Sequence, residues 1–242
     1  MTTNTIKVAV WRGTGTTGAY QNFDVPRQDS QTVLDLVSWI QAYKDPTLTY
    51  RFACRVGMCG SCAMMVGGVP RWTCRTHVSK VVKDDAVTIA PLRNVPVIKD
   101  LAADLDPFFD KWTQAGGRHA PSATRHDPVA AIAPTSPARE TADAGIECIN
   151  CAVCYAACDT VKGNPDYRGP AALQRAWTLY NDEKTADRNA VLDAVSGTGG
   201  CHNCHSIGSC TALCPNELDP LSAIAGLKRA TLTRALKGSR RA

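Results

Sequence analysis

The chain has 242 residues, 20% of them charged, with a formal net charge of +5 and 12 cysteines. That length allows two domains, each with its own core, and no apolar run approaches the about eighteen residues that span a bilayer. The start "MTTNTIKVAVWRG" has no apolar signal region, cleavage site or Arg-rich presequence, which argues against a secreted disulfide scaffold and for ligand chemistry in a reducing compartment.

In chain order, "TIKVAVWR" and "AYQNFDV" alternate apolar and polar residues around "GTGTTG", the pattern of a β-hairpin. The turn also spells G-x-G-x-x-G through Gly13, Gly15 and Gly18. A dinucleotide fingerprint must open a helix, and here a second strand follows. It reads as a glycine-rich turn. "DSQTVLDLVSWIQAY" is an amphipathic helix, capped by Ser30 or Asp29, with Val33, Leu34, Val37, Trp39 and Ile40 on its apolar face. Short strands follow around "CAMMV", "VPRWTC" and "AVTIAPL". These elements make a small mixed α+β domain over residues 1–105.

Residues 106–146 include "AGGRHAPSATRHDPVAAIAPTSPARETADAG", whose Ala, Pro, Gly, Ser and Thr content reads as a linker or extended segment. His119 and His126 within it have no ligand-like neighbours and read as exposed loop residues. Beyond it, "GPAALQRAWTLYND", "KTADRNAVLDAVSG" and "LDPLSAIAGLKRATLTRALKG" carry helical patterning, with Trp177 and Tyr180 on one face as packing residues. Residues 147–242 are expected to be α-helical.

The cysteines carry the chemistry. Cys54-x4-Cys59-x2-Cys62 with Cys74 eleven residues on is the plant-type [2Fe–2S] arrangement. Structural zinc is the alternative, but its ligands usually come as paired short knuckles, and only three of these cysteines are close in sequence. Gly57, Gly60 and Ser61 are small enough to let backbone N–H groups turn toward the cluster sulfurs. Cys148-x2-Cys151-x2-Cys154-x3-Cys158 is the first run of a two-cluster ferredoxin, in which the fourth cysteine ligates the other cluster. That crossover gives Cys148, Cys151, Cys154 and Cys214 to a [4Fe–4S] cluster. It leaves Cys158, Cys204 and Cys210 for the partner, with Ile207 where a cysteine would stand. Three thiolates suit [3Fe–4S]. Cys201 reads as a buried packing thiol; as a replacement ligand it would restore the fourth iron. Each oxidised cluster with its thiolates carries roughly −2, so three would bring the net charge to about −1 and remove the case for a nucleic-acid partner.

On these residues the chain resembles the iron–sulfur subunit of succinate dehydrogenase/fumarate reductase, the respiratory complex II family. "CRVGMCGSC", "IAPLRNVPVIKDL", "CINCAVCYAAC", "NPDYRGPAAL" and "CHSIGSCTALCP" are similar to its motifs and stand in its order. The resemblance implies a β-grasp ferredoxin domain followed by an α-helical ferredoxin domain. It implies electron transfer through [2Fe–2S], [4Fe–4S] and [3Fe–4S] clusters in that order, from a partner flavoprotein holding FAD to a quinone beside a hydrophobic membrane anchor. His205, Ser206 and Ile207 match the quinone-pocket wall. Lys162 and Gly163 stand where succinate dehydrogenases place tryptophans, and Asp159 replaces a frequent proline; Asp159 and Lys162 read equally as a solvated pair. Running in reverse as a quinol:fumarate reductase, or serving a flavoprotein with a non-quinone acceptor, is the alternative. No dicarboxylate chemistry is expected on this chain, which should sit peripherally on the cytoplasmic side of a bacterial inner membrane. The basic tail with Lys228, Arg229, Arg234, Lys237, Arg240 and Arg241 reads as a helix C-terminus or as a contact for anionic lipid or the anchor.

Overall fold

The computed structural model describes residues 5–239, so Arg240 and Arg241 of the basic tail lie outside the described residues. The chain divides into two compact units. The first contains residues up to Asp106 together with Ile149–Ala157; the second contains Pro107–Cys148 and the chain from Cys158 on.

In the first unit, β1 (Thr5–Thr14) and β2 (Thr17–Pro26) pair antiparallel with Thr14 opposite Thr17. The glycine-rich stretch is therefore a two-residue hairpin turn and not a phosphate-binding loop. With β3 (Ala63–Val66), β4 (Val69–Trp72) and β5 (Ala86–Ala90) the sheet runs β2-β1-β5-β3-β4, β1 and β5 being parallel at its centre. Ile6, Val8, Val10, Val25, Val87 and Ile89 project from the inner face onto Val33, Leu36, Val37 and Ile40 of α1 (Val33–Tyr43), the mixed sheet grasping one helix. The cap of α1 is Thr32 and not Ser30 or Asp29: its hydroxyl accepts from Asp35 N–H (3.3 Å) while the Asp35 carboxylate accepts from Thr32 N–H (2.9 Å), a reciprocal box. Trp39 is only partly buried, and Leu36 takes its expected place in the core.

At one end of the sheet a buried carboxylate joins three separate segments. Asp100 accepts from Gly13 N–H (3.0 Å) and Thr49 N–H (3.0 Å), and Arg12 Nε lies 3.0 Å from it. Arg12 also pairs with Asp45. A two-strand ribbon, β6 (Val97–Lys99) and β7 (Ala102–Ala103), flanks this knot.

The second unit is helical. It includes α2 (Asp106–Gln114, its first residue counted with the first unit) and α3 (Pro137–Ile146), so both ends of the segment read as a linker are regular structure. α3 starts at a Ser136 cap and packs on α6 (Pro170–Asn181) through small residues: Ala142 is buried, and a Cβ on Gly145 would come within 2.0 Å of Thr178 Oγ1. A helix that packs by backbone approach has few large apolar residues to betray it. Between α2 and α3 the chain runs beside residues 184–186, Ser122 N–H donating to Lys184 O (2.8 Å) and Ala186 N–H to Ala120 O (2.8 Å), with His119 and His126 exposed. α7 (Arg188–Ser196) and α9 (Pro220–Ser239) complete the core with Leu173, Leu179, Leu192, Val195, Ile224 and Leu227. Trp177 and Tyr180 stack at 5.5 Å, and Arg175 covers Trp112 at 5.5 Å.

Three short helices carry cysteines at or beside their ends: α4 (Val153–Ala156) in the first unit, α5 (Asp159–Gly163) and α8 (Ser209–Ala212) in the second. Residues 149–157, expected in the helical domain, pack instead with the first unit. The reason is local: Asn94 Nδ2 donates to Tyr155 O (2.9 Å) and Ala156 O (3.3 Å), capping α4 from the "IAPLRN" stretch.

Removing one partner of a buried charge pair strands the other, at a cost of about 3–5 kcal/mol. Asp100→Ala is therefore expected to destabilise the first unit by about 3 kcal/mol, read as a lower apparent Tm, whereas Arg234→Ala, an exposed partner of Asp193, should cost under about 1 kcal/mol. Equal effects would refute the ranking.

Candidate metal centres

The first centre is a loop between α1 and β3. Its backbone enters the left-handed region at Arg55 (φ 59°), Gly57 (78°) and Gly60 (71°), which turns successive N–H groups inward and forms a concave nest suited to an anionic sulfur cluster. Val56 N–H and Met58 N–H both donate to Cys54 Sγ, at 3.4 and 3.2 Å, and Cys74 N–H donates to Cys62 Sγ at 3.5 Å. Cys62 and Cys74 are buried beside Leu34, while Cys59 is exposed. These positions split the thiols chemically. The Ser61 hydroxyl above all, with backbone N–H groups, draws the Cys59 thiol down to about 6. Burial chiefly, then the neighbouring Cys62, pushes Cys74 up to about 12.

Among the described residues, no three His, Cys, Asp or Glu side chains close to the spacing of a single metal ion. One zinc ion would need its ligands gathered about one point. Three thiols on a donor-lined loop, with Cys74 beyond β4 as the fourth, fit a [2Fe–2S] group, whose thiolates are shared between two irons.

The second set is split between the units: Cys151 and Cys154 belong to the first, Cys148 and Cys214 to the second. Asn150 (φ 53°) and Ala152 (φ 60°) repeat the left-handed device of the first loop. Within the first unit, Gly60 lies directly on this block. A Cβ there would meet Ile149 O at 2.7 Å and Cys151 Cα at 2.9 Å, and Gly60, Ser61 and Cys151 line a cavity of about 20 Å³. In the second unit, Asn216 Nδ2 donates to Glu147 O at 2.6 Å, tying the turn after Cys214 to the residue before Cys148.

Cys158, Cys204 and Cys210 all lie in the second unit. Cys158 precedes α5, Cys210 sits buried in α8, and Cys204 ends a short 3₁₀ turn. Ser206 (φ 59°) and Gly208 (φ 86°) again turn the backbone, and Ser206 N–H donates to Cys204 Sγ at 3.3 Å. Burial first, then the charges of Cys158 and Cys204, pushes the Cys210 thiol up to about 11, so the three thiols lie within electrostatic reach of one another. Cys201 is fully buried with its sulfur 4.0 Å from Thr231 Oγ1, on α9, and burial raises its pKa. It has the surroundings of a packing thiol.

His205, Ser206 and Ile207 are exposed, Ile207 at 61%, and so is Lys162 on α5. Asn164 at the end of α5 donates to Asn203 Oδ1 (3.2 Å), which ties the Lys162 turn to the His205 segment. Asp159 is likewise exposed, and no ion pair joins it to Lys162 among the described residues. Of the basic tail, Lys228 Nζ donates to Cys204 O (2.6 Å) and Arg234 pairs with Asp193 (2.8 Å), while Arg229 and Lys237 face solvent. Sequence reasoning missed Asn94 and Asn216, whose amides hold carbonyls 61 and 69 residues away along the chain, pairings that leave no local signal.

Comparison with known proteins agrees with this geometry. Residues 5–110 match the family of the 2Fe-2S iron-sulfur cluster binding domain, and residues 147–219 that of the 4Fe-4S dicluster domain. The chain is 35% identical to the fumarate reductase iron-sulfur subunit of Mycobacterium tuberculosis over 90% of its length and 88% of that protein. It is 36% identical to the mitochondrial succinate dehydrogenase [ubiquinone] iron-sulfur subunit 1 of Oryza sativa subsp. japonica, over 83% of this chain and 71% of that one. The fold matches a chain of the Mycobacterium smegmatis Sdh1 complex in the apo form with a TM-score of 0.85 and 26% identity, covering 95% and 96% of the two chains. With a mixed-sheet domain bearing the 2Fe-2S loop followed in sequence by a helical dicluster domain, the chain belongs to the iron–sulfur subunits of the succinate dehydrogenase/fumarate reductase family, which carry electrons through iron–sulfur clusters.

Proposed function

We propose that this chain carries electrons, one at a time, from the FAD of a partner flavoprotein to a quinone, as the iron–sulfur subunit of a succinate:quinone oxidoreductase. The observation that carries the reading is the order of the three cysteine sets, with the first loop laid against the second block at Gly60. In sequence the two cluster-binding modules are residues 1–105 and 147–242, with 106–146 between them, although residues 149–157 pack with the first unit and most of 106–146 with the second. Cys54, Cys59, Cys62 and Cys74 hold [2Fe–2S]; Cys148, Cys151, Cys154 and Cys214 hold [4Fe–4S]; Cys158, Cys204 and Cys210 hold [3Fe–4S]. When bound, these groups supply one-electron carriers of stepped potential.

The chain's own residues do the rest. Inward N–H groups of Val56, Met58, Cys74 and Ser206 offset the charge of the thiolates they face. Gly60 keeps the first loop in backbone contact with residues 149–151. Phe52, Val56 and Met58 form an exposed apolar surface beside Cys54 and Cys59, suited to docking the flavoprotein. His205, Ser206, Ile207 and Lys162 form the exposed surface offered to quinone and the anchor subunit. No helix among the described residues is long and apolar enough to cross a membrane, and we place the subunit peripherally at the cytoplasmic face of a bacterial inner membrane, held there by its anchor.

Ile207 tests the third assignment. The oxidised wild type is expected to show the EPR signal of a three-iron centre, Ile207→Cys to lose it by admitting a fourth iron, and Cys201→Ser to retain it. A wild type lacking the signal, with Cys201→Ser creating one, would make Cys201 the fourth ligand and contradict the assignment. Gly60 tests the close approach. A side chain at φ 71° costs about 1–3 kcal/mol in backbone strain alone, so Gly60→Ala should lower the iron bound per chain; iron content equal to wild type would contradict the packing argument.

A further inference from the structure

Tyr167 heads the fully buried side chains by volume, and its solvent exposure is 0%. Its hydroxyl nevertheless has no hydrogen-bond partner among the described residues. Buried tyrosines usually place the O–H on an acceptor, because an orphaned polar group is costly while phenylalanine fills the same space without it. An unsatisfied phenol this deep calls for an acceptor.

The backbone around it identifies the direction. Tyr167 N–H donates to Asn164 O (3.1 Å) at the end of α5, the helix that begins directly after Cys158. Asn164 Nδ2 reaches Asn203 Oδ1 (3.2 Å), and Arg168 N–H donates to Gly199 O (2.8 Å), so the loop is tied on its other side to the segment leading into Cys204. Tyr167 is thus held between the two strands of chain that deliver Cys158 and Cys204. All of these residues belong to the second unit.

We propose that the Tyr167 hydroxyl donates a hydrogen bond to the sulfur of Cys204 in the loaded Cys158–Cys204–Cys210 centre, and thereby raises that centre's reduction potential. This rests on the three-iron reading given above. A phenol's ordinary pKa of about 10 leaves it protonated at neutral pH, so it is a donor. Ser206 N–H already donates to Cys204 Sγ, and a cluster-bound sulfur readily accepts a second bond. Reduction adds negative charge to the sulfur-rich group. A fixed donor stabilises the reduced form more than the oxidised one, and the potential rises.

The test is Tyr167→Phe in the intact complex, with the oxidised three-iron EPR signal followed through a redox titration. The variant is expected to retain the signal and to shift its midpoint negatively by roughly tenfold in the reduction equilibrium, about 59 mV for one electron. An unchanged midpoint with the signal intact overturns the hydrogen bond and leaves the cluster reading standing. A wild type without a three-iron signal overturns the cluster reading and this proposal with it. Should the variant fail to load the centre, proton ENDOR on the wild type decides: an exchangeable proton coupled to the three-iron signal, beyond that of Ser206 N–H, supports the donor, and none overturns it.

Discussion

Thiolates gathered around one group repel each other, and a chain that gathers them must supply positive ends of dipoles in the same place. Here those ends are backbone N–H groups, and the device that aims them is the left-handed backbone. Arg55 and Gly57 directly precede the N–H groups of Val56 and Met58 that face Cys54, and left-handed Ser206 itself donates to Cys204, while Asn150 and Ala152 take the same conformation within the second cysteine block. Only some of these are glycine. Arg55, Asn150, Ala152 and Ser206 hold a conformation that L-residues rarely take, and each stands within two residues of a cysteine.

The remaining architecture holds the loops in place. The sheet and α1 bury a continuous apolar face, and the loop of Cys54–Cys62 leaves that core with Cys62 and Cys74 anchored against Leu34. Asn94 caps α4 and keeps residues 149–157 in the first unit. In the second unit, α6, α7 and α9 form the support, and Thr231 on α9 faces Cys201 while Lys228 grips the carbonyl of Cys204. The free thiols are unequal as a result. Cys59 at about 6 is largely deprotonated at neutral pH, whereas Cys74 at about 12 and Cys210 at about 11 keep their protons. Metal loading must expel those protons, so the buried thiols make it more pH-dependent than the exposed one does.

The alternating hairpin, α1 and the cysteine spacings were legible because each rests on a local rule of period or ligand geometry. Three features were not. Asp29 and Ser30 are good capping types and draw the expected α1 cap two or three residues early; Thr32 prevails because Asp35 completes the reciprocal box. Helix α3 was read as linker because its packing face is Ala142 and Gly145, residues whose composition also suits a flexible segment, although Ser136 and Pro137 carry an N-terminal signal. The attachment of residues 149–157 to the first unit depends on Gly60 and Asn94, long-range contacts that no local pattern encodes.

The central claim is that this one chain holds three iron–sulfur clusters of different nuclearity. Metal and acid-labile sulfide analysis of the purified subunit in its complex, corrected for any haem iron, tests it most directly. The account predicts about nine irons and about ten sulfides per chain and no stoichiometric zinc. A colourless preparation with zinc in place of iron, or iron sufficient for only one cluster, would contradict it.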